Sequence, residues 1–133
     1  MFYYFDTSIW IDIYLKRGYN GEMAIRLMEK IIENDDIIIF SDVVLFELKK
    51  IGFSKYEIDQ ILSCAKPDHI KRIYSKASQL KAASRIAKKR SIPLRDAAHA
   101  ILARDYYAQL VSLDWDFNKL KDITKIKKPE ELL

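Results

Sequence analysis

Two patterns of apolar positions alternate along the chain, one short and continuous, the other at helical spacing. Phe2, Tyr3, Tyr4 and Phe5 form an unbroken apolar run, as in a strand covered on both faces. Thr7 or Ser8 then offers a cap for a short helix carrying Ile9, Trp10, Ile13 and Tyr14. Gly18 and Gly21 punctuate, and a second helix is predicted over about residues 22–33, with Ile25, Met28 and Ile32 as its stripe. Residues 37–40 read as the next strand. Ser41 or Asp42 caps a helix to about residue 51, with Val44, Leu48 and Ile51 inward. Ser54 starts another to about residue 64, with Ile58, Ile61 and Leu62 inward, and Pro67 closes that stretch. Residues 70–73 are too few to classify. Residues 75–89 are helical, with Leu80, Ala83 and Ala87 near one face. Pro93 introduces a helix around residues 96–107, residues 108–112 read as a strand, and residues 123–126 as a short last one.

Strands and helices therefore alternate from the start. This predicts one α/β domain over residues 1–133, a small, mostly parallel sheet flanked by helices on both faces. Ligand sites in such folds lie past the carboxyl ends of the strands. The composition agrees: of 133 residues, 50% are hydrophobic and 32% charged, with only three Gly and three Pro, which excludes a disordered or loop-rich chain. The lone Cys64 forms no internal disulfide, so a cytoplasmic setting is expected. No apolar run is long enough to span a bilayer, and no membrane association is expected.

Charge changes the picture more than composition does. The net charge is only +4, but residues 66–95 carry ten Lys/Arg (Lys66, Lys71, Arg72, Lys76, Lys81, Arg85, Lys88, Lys89, Arg90 and Arg95) against Asp68. The first 65 residues hold 11 acids against seven bases. That asymmetry suits a polyanion, nucleic acid first, although a solvated lysine-rich helix would look the same.

Five acids stand out. Asp6 and Asp114 each follow a predicted strand, so adjacent parallel strands would aim both at one crevice; as a helix cap, Asp6 needs no further role. Glu47 lies near the inward stripe of its helix, where an unpaired carboxylate is costly. Asp96 opens a helix, which the helix dipole favours by itself. His99, one turn on, reads as a satisfied core histidine. Asp116 lies two residues past Asp114, across Trp115. Clustered carboxylates repel, and a divalent cation resolves that; oxygen-only ligands suit Mg2+ or Mn2+ rather than zinc. An acidic, metal-holding crevice beside a basic flank is what phosphodiester hydrolysis requires, the basic side holding the backbone through Lys88, Lys89 and Arg90.

Four segments carry a resemblance: Phe5-Asp6-Thr7-Ser8 followed by Asp12; Ser41-Asp42-Val43-Val44-Leu45-Phe46-Glu47-Leu48; Leu94-Arg95-Asp96-Ala97-Ala98-His99-Ala100; and Val111-Ser112-Leu113-Asp114-Trp115-Asp116-Phe117. In order and spacing the chain resembles PIN-domain nucleases, and among them the VapC-type toxins of type II toxin–antitoxin pairs. The resemblance implies a three-layer PIN-like sandwich and Mg2+- or Mn2+-dependent endoribonuclease activity. It implies Asp6, Glu47, Asp96 and Asp114 as the catalytic, metal-binding quartet and Asp116 as an auxiliary acid. Thr7 or Ser8 would help to position water, and Ser112 would stand beside the site. RNA as substrate, a cognate antitoxin and a homodimer are the implied partners. A non-catalytic nucleic-acid-binding or interaction module on the same fold, and a housekeeping RNA-processing nuclease, remain the alternatives. A haloacid-dehalogenase-like phosphatase fits less well, because Asp6-Thr7-Ser8 lacks its paired acid, and Phe40-Ser41-Asp42 does not supply a receiver's phosphoacceptor.

Overall fold

The computed structural model describes residues 1–65 and 67–133, with the side chain of Trp115 excluded; Lys66, part of the basic run, lies outside the described residues. Five strands, β1 (Phe2–Phe5), β2 (Ile37–Ser41), β3 (Ile70–Ile73), β4 (Ala108–Val111) and β5 (Ile126–Lys127), form one sheet in the order β3-β2-β1-β4-β5. Every pairing is parallel. The helices are α1 (Thr7–Leu15), α2 (Gly18–Glu33), α3 (Asp42–Ile51), α4 (Lys55–Ser63), α5 (Ala77–Arg90) and α6 (Leu94–Asp105). Short 3-10 turns cover Pro67–His69, Trp115–Leu120 and Pro129–Leu132.

Strand alternation splits the core in two. Tyr3, Phe5, Ile38, Phe40 and Val111 face one layer with Trp10, Leu27, Ile31, Val44, Leu48 and Ile61. Tyr4, Ile39 and Leu110 face the other, against the alanine-rich α6 and the small Ala83 and Ala87 of α5. The expected α/β sandwich with helices on both faces is therefore present. The chain runs outward from β1 to β2 and β3, then returns across the sheet to β4 on the other side of β1. That reversal leaves a crevice at the carboxyl ends of β1 and β4.

Several local expectations change. α1 is capped by Asp6, whose side chain accepts from Ile9 N–H, not by Thr7 or Ser8. α2 starts at Gly18, and its buried face is Met23, Ala24, Leu27, Met28 and Ile31; Ile25 and Ile32 are partly buried beside it. Gly21 does not break the helix. A Cβ there would lie 2.8 Å from Asp12 O and from Lys16 C, so glycine lets α2 begin against the end of α1. Residues 70–73 are the edge strand β3. The last strand is only Ile126–Lys127, since residues 121–124 turn instead. Ile51 and Leu80, expected inward, are exposed, because α3 ends at Gly52 before its last turn is covered and α5 meets α6 through small residues. No helix among the described residues is long and apolar enough to cross a membrane.

Candidate active site

The crevice has a volume of about 460 Å3 and is lined by Asp6, Glu47, Asp96 and Asp114 with Thr7, Ser8, Lys50, Arg95 and His99. Its carboxylates come from four parts of the chain. Asp6 directly continues β1, its N–H still bonded to Val111 O across the sheet at 3.2 Å. Asp114 lies just past β4. Asp96 sits in the first turn of α6, and Glu47 in the middle of α3.

Asp6 is buried and accepts three hydrogen bonds. Oδ1 accepts from the Ser8 hydroxyl at 2.9 Å and from Ile9 N–H at 3.1 Å. Oδ2 accepts from the Ser112 hydroxyl at 2.5 Å, and Ser112 Oγ accepts from Asp114 N–H at 3.0 Å. Ser112 thereby links the two strand ends that carry Asp6 and Asp114. Burial pushes the Asp6 carboxyl up, against the opposing pull of the Ser112 bond and of nearby His99.

Glu47 is also engaged. Oε1 accepts from the Thr7 hydroxyl at 2.8 Å and from His99 Nε2 at 2.5 Å, and Oε2 lies 3.3 Å from Arg95 Nε. Partial burial pushes this carboxyl up, but the His99 and Thr7 bonds and the Arg95 cation outweigh it and hold it below the ordinary value. His99 is buried, as expected, and both ring nitrogens are partnered. Nδ1 lies 2.6 Å from the Tyr4 hydroxyl, which lies 2.6 Å from Ser41 Oγ. Tyr4, which supports His99 from behind the crevice, is not recognisable from the sequence, because its place in an apolar strand marks it as core.

Asp96 differs. It is only 3% exposed, and Oδ2 is buried without a hydrogen-bond partner. Burial pushes its carboxyl up to about 7, and the neighbouring Asp114 adds to the shift; His99 and Arg95 oppose it. One carboxylate oxygen each from Asp96, Asp114 and Asp116 lie within 4.8 Å of one another. Among the described residues this is the group of acids close enough to share a cation, and its all-oxygen donors suit Mg2+ or Mn2+. Asp116 N–H donates to Asp114 Oδ1 at 2.9 Å, so the Trp115–Leu120 turn brings these two acids together.

The basic residues divide. Lys50 and Arg95 line the crevice, Lys50 from the last turn of α3. Neither was singled out as a site residue from sequence. Lys88 and Lys89 are exposed at the end of α5 and are not among the crevice residues. Arg90 reaches Asp122 with both terminal nitrogens, at 2.7 and 2.9 Å, and Lys119 O at 2.7 Å, which ties α5 to the turn after Asp116. Asp12 is buried away from the crevice, with Arg17 at 3.8 Å.

Residues 3–123 match the family described as PIN domain. Among solved structures, VapBC2 from Rickettsia felis, bound to a DNA fragment from its promoter, aligns over 96% of this chain and 98% of its own, with a TM-score of 0.71 and 20% identity. A toxin–antitoxin complex from Klebsiella pneumoniae aligns over 96% and 97%, with a TM-score of 0.65 and 20% identity. VapC20 from Mycobacterium tuberculosis, a sarcin-ricin loop cleaving toxin, aligns over 90% and 95%, with a TM-score of 0.66 and 16% identity. At these identities the likeness is one of fold. Among curated proteins, none matches the chain significantly.

Proposed function

Since the chain belongs to the PIN domain family, we propose that it is a divalent-metal-dependent endoribonuclease and acts as the toxin of a toxin–antitoxin pair. The observation that carries the reading is Asp96, a buried carboxylate with an unpartnered oxygen, facing Asp114 and Asp116 at the reversal point of the sheet. A buried, unsatisfied carboxylate next to two others is costly unless a cation joins them, so the residues fit Mg2+ or Mn2+. When bound, the cation supplies activation of water and offsets charge at the phosphoryl group.

The chain's own residues do the rest. Asp96, Asp114 and Asp116 hold the cation. Asp6, fixed by Ser8, Ile9 N–H and Ser112, closes the floor of the crevice and keeps Asp114 in register through Ser112. Glu47, bonded to Thr7, lines the same crevice. Lys50 and Arg95, which line the crevice, meet the RNA backbone there, and the exposed Lys88 and Lys89 at the end of α5 are a second basic pair for the same backbone.

A cognate antitoxin and a second copy of the chain belong to the same reading, as does a cytoplasmic place of action, where RNA is the substrate. Support for protein partners comes from Phe46, Ile51, Leu80 and Leu94, which are 67%, 61%, 40% and 52% exposed on α3, α5 and α6. The similar folds in toxin–antitoxin complexes support the antitoxin.

The test is digestion of total RNA by purified protein with Mg2+ or Mn2+ against EDTA, beside Asp114→Asn. Discrete fragments that need metal and vanish in the variant are expected. Intact RNA together with no binding of Mg2+ or Mn2+ would refute the nuclease and favour a binding module. Growth arrest on expression, absent for Asp114→Asn, is expected of a toxin.

A further inference from the structure

We propose that His99, held by Tyr4, is a positioning residue that fixes Glu47 on the wall of the crevice, outside the set of carboxylates that ligate the cation. The catalytic part of this inference rests on the nuclease reading above. It starts from how the acceptor positions of Glu47 are used. A carboxylate offers about four lone-pair sites. Both sites of Oε1 are taken, by Thr7 and by His99, and Arg95 stands against Oε2. A cation approaching Oε1 would have to displace two short hydrogen bonds. Asp96 Oδ2 has none to displace, and the group of acids close enough to share a cation is Asp96, Asp114 and Asp116.

The imidazole itself is held from three sides. Its Nδ1 meets the Tyr4 hydroxyl, and the Tyr4 and His99 rings pack edge-on, with centroids 5.4 Å apart and planes at 60°. The Tyr4 hydroxyl also meets Ser41 Oγ, and Ser41 caps α3, the helix that carries Glu47. A carboxylate only accepts, so Nε2 carries the proton towards Glu47. The Tyr4 hydroxyl lies between Nδ1 and Ser41 Oγ, so one continuous hydrogen-bonded chain runs from Ser41 through Tyr4 and His99 to Glu47.

The placement of these residues is economical. Tyr4 precedes Asp6 by two positions on β1, and His99 follows Asp96 by three on α6, one turn along the same face. The clamp therefore joins the three elements that carry Asp6, Glu47 and Asp96. A histidine serving the core alone would have no need to bond a crevice carboxylate. Fixed this way, Glu47 presents the free side of Oε2, next to Arg95, to substrate and its water.

Three variants and three readouts test this. His99→Leu removes both ring bonds, His99→Gln keeps a donor near the Nε2 position, and Glu47→Gln removes the charged acceptor. Mn2+ affinity is read by electron paramagnetic resonance, kcat and KM by RNA cleavage, and the His99 Nε2–H by its proton resonance. We expect His99→Leu to lower kcat about 10–100-fold, the range typical of residues that orient an active group. KM and the Mn2+ Kd should stay within about threefold, and His99→Gln should restore most of kcat. A strongly deshielded Nε2–H signal should be present in the wild type and lost in Glu47→Gln. Mn2+ binding weakened as much by His99→Leu or Glu47→Gln as by Asp96→Asn would overturn the proposal by making Glu47 a ligand. Equal loss of kcat in His99→Leu and His99→Gln would reduce His99 to a structural residue. If His99→Leu does not fold, Tyr4→Phe carries the same test, with kcat lowered and the Mn2+ Kd unchanged; an unaltered kcat would count against the clamp. If the wild type cleaves no RNA, the kinetic part of the test falls. The resonance and the Mn2+ affinity of Glu47→Gln then still decide whether the imidazole holds Glu47 outside the ligand set.

Discussion

Replacing Asp96 by Asn should stabilise the metal-free protein at alkaline pH and do almost nothing at pH 4. The carboxyl sits 3% exposed in the first turn of α6, with one oxygen unpartnered and Asp114 beside it. Its ordinary value of 3.8 rises to about 7 in the folded chain. Between those values the folded protein keeps a proton that the unfolded chain has released. Stability therefore falls as pH rises through that window, and the loss is complete above about pH 7. Moving a carboxyl that far costs its ionised form about 4 kcal/mol at most; water reaching the open side of the crevice lowers this to about 2–4 kcal/mol. Asn has the same shape and no charge, and its amide can donate to Asp114 or Asp116. A domain of this size gains about 3–5 °C in Tm per kcal/mol, so Asp96→Asn should melt about 6–20 °C above the wild type at pH 8 with EDTA. The gap should close below pH 4. Saturating Mg2+ should narrow it at pH 8, because cation binding stabilises only the chain that keeps its third carboxylate. Thermal melts by circular dichroism at the two pH values, with and without Mg2+, read all of this. An equal gain at both pH values, or a destabilised variant at pH 8, would refute the account of Asp96.

Three further outcomes are expected. Gly21→Ala gains helix propensity worth about 1 kcal/mol, but its Cβ would meet the backbone of Asp12 and Lys16 at 2.8 Å; a net loss of about 1–2 kcal/mol in urea unfolding should result, and a gain would mean that α1 and α2 separate easily. Leu48→Ala empties a fully buried position between α3 and the sheet and should cost about 2–5 kcal/mol at an unchanged m-value. Lys88→Ala with Lys89→Ala should lower the slope of log K against log salt for single-stranded RNA by about 1.4, and an unchanged slope would make that end of α5 solvated surface only.

Much of the fold was legible because its signals are local. The runs at residues 2–5 and 37–40, the cap at Ser41 or Asp42, which falls to Ser41, and the helix start at Ser54 each act within a few residues, and all appear where the pattern put them. The failures come from longer range. Four residues at 70–73 form a strand only because β2 lies alongside, and a glycine stands at position 21 inside α2 because the end of α1 leaves no room for a Cβ. Trp10 is wholly buried between Phe5 and Phe40, a position set by the sheet rather than by the helix that carries it.

For the site, the acids were legible as a set but not as two kinds. Asp6, Glu47, Asp96 and Asp114 line one crevice, and nothing in their spacing separates them. What separates them is hydrogen bonding from residues distant in sequence. Ser112 reaches Asp6 across 106 positions, Thr7 reaches Glu47 across 40, and His99 reaches Glu47 across 52. These donors satisfy Asp6 and Glu47 within the protein. Asp96 has an unpartnered oxygen, and its nearest carboxylates, Asp114 and Asp116, repel it. A crevice that satisfied every acid in this way would have little affinity for a cation, and one that satisfied none would be unstable without it. On the proposed reading the division reconciles the two demands: Asp6 and Glu47 are held by donors within the protein, while Asp96, Asp114 and Asp116, with one carboxylate oxygen each within 4.8 Å of one another, are where a cation would be drawn.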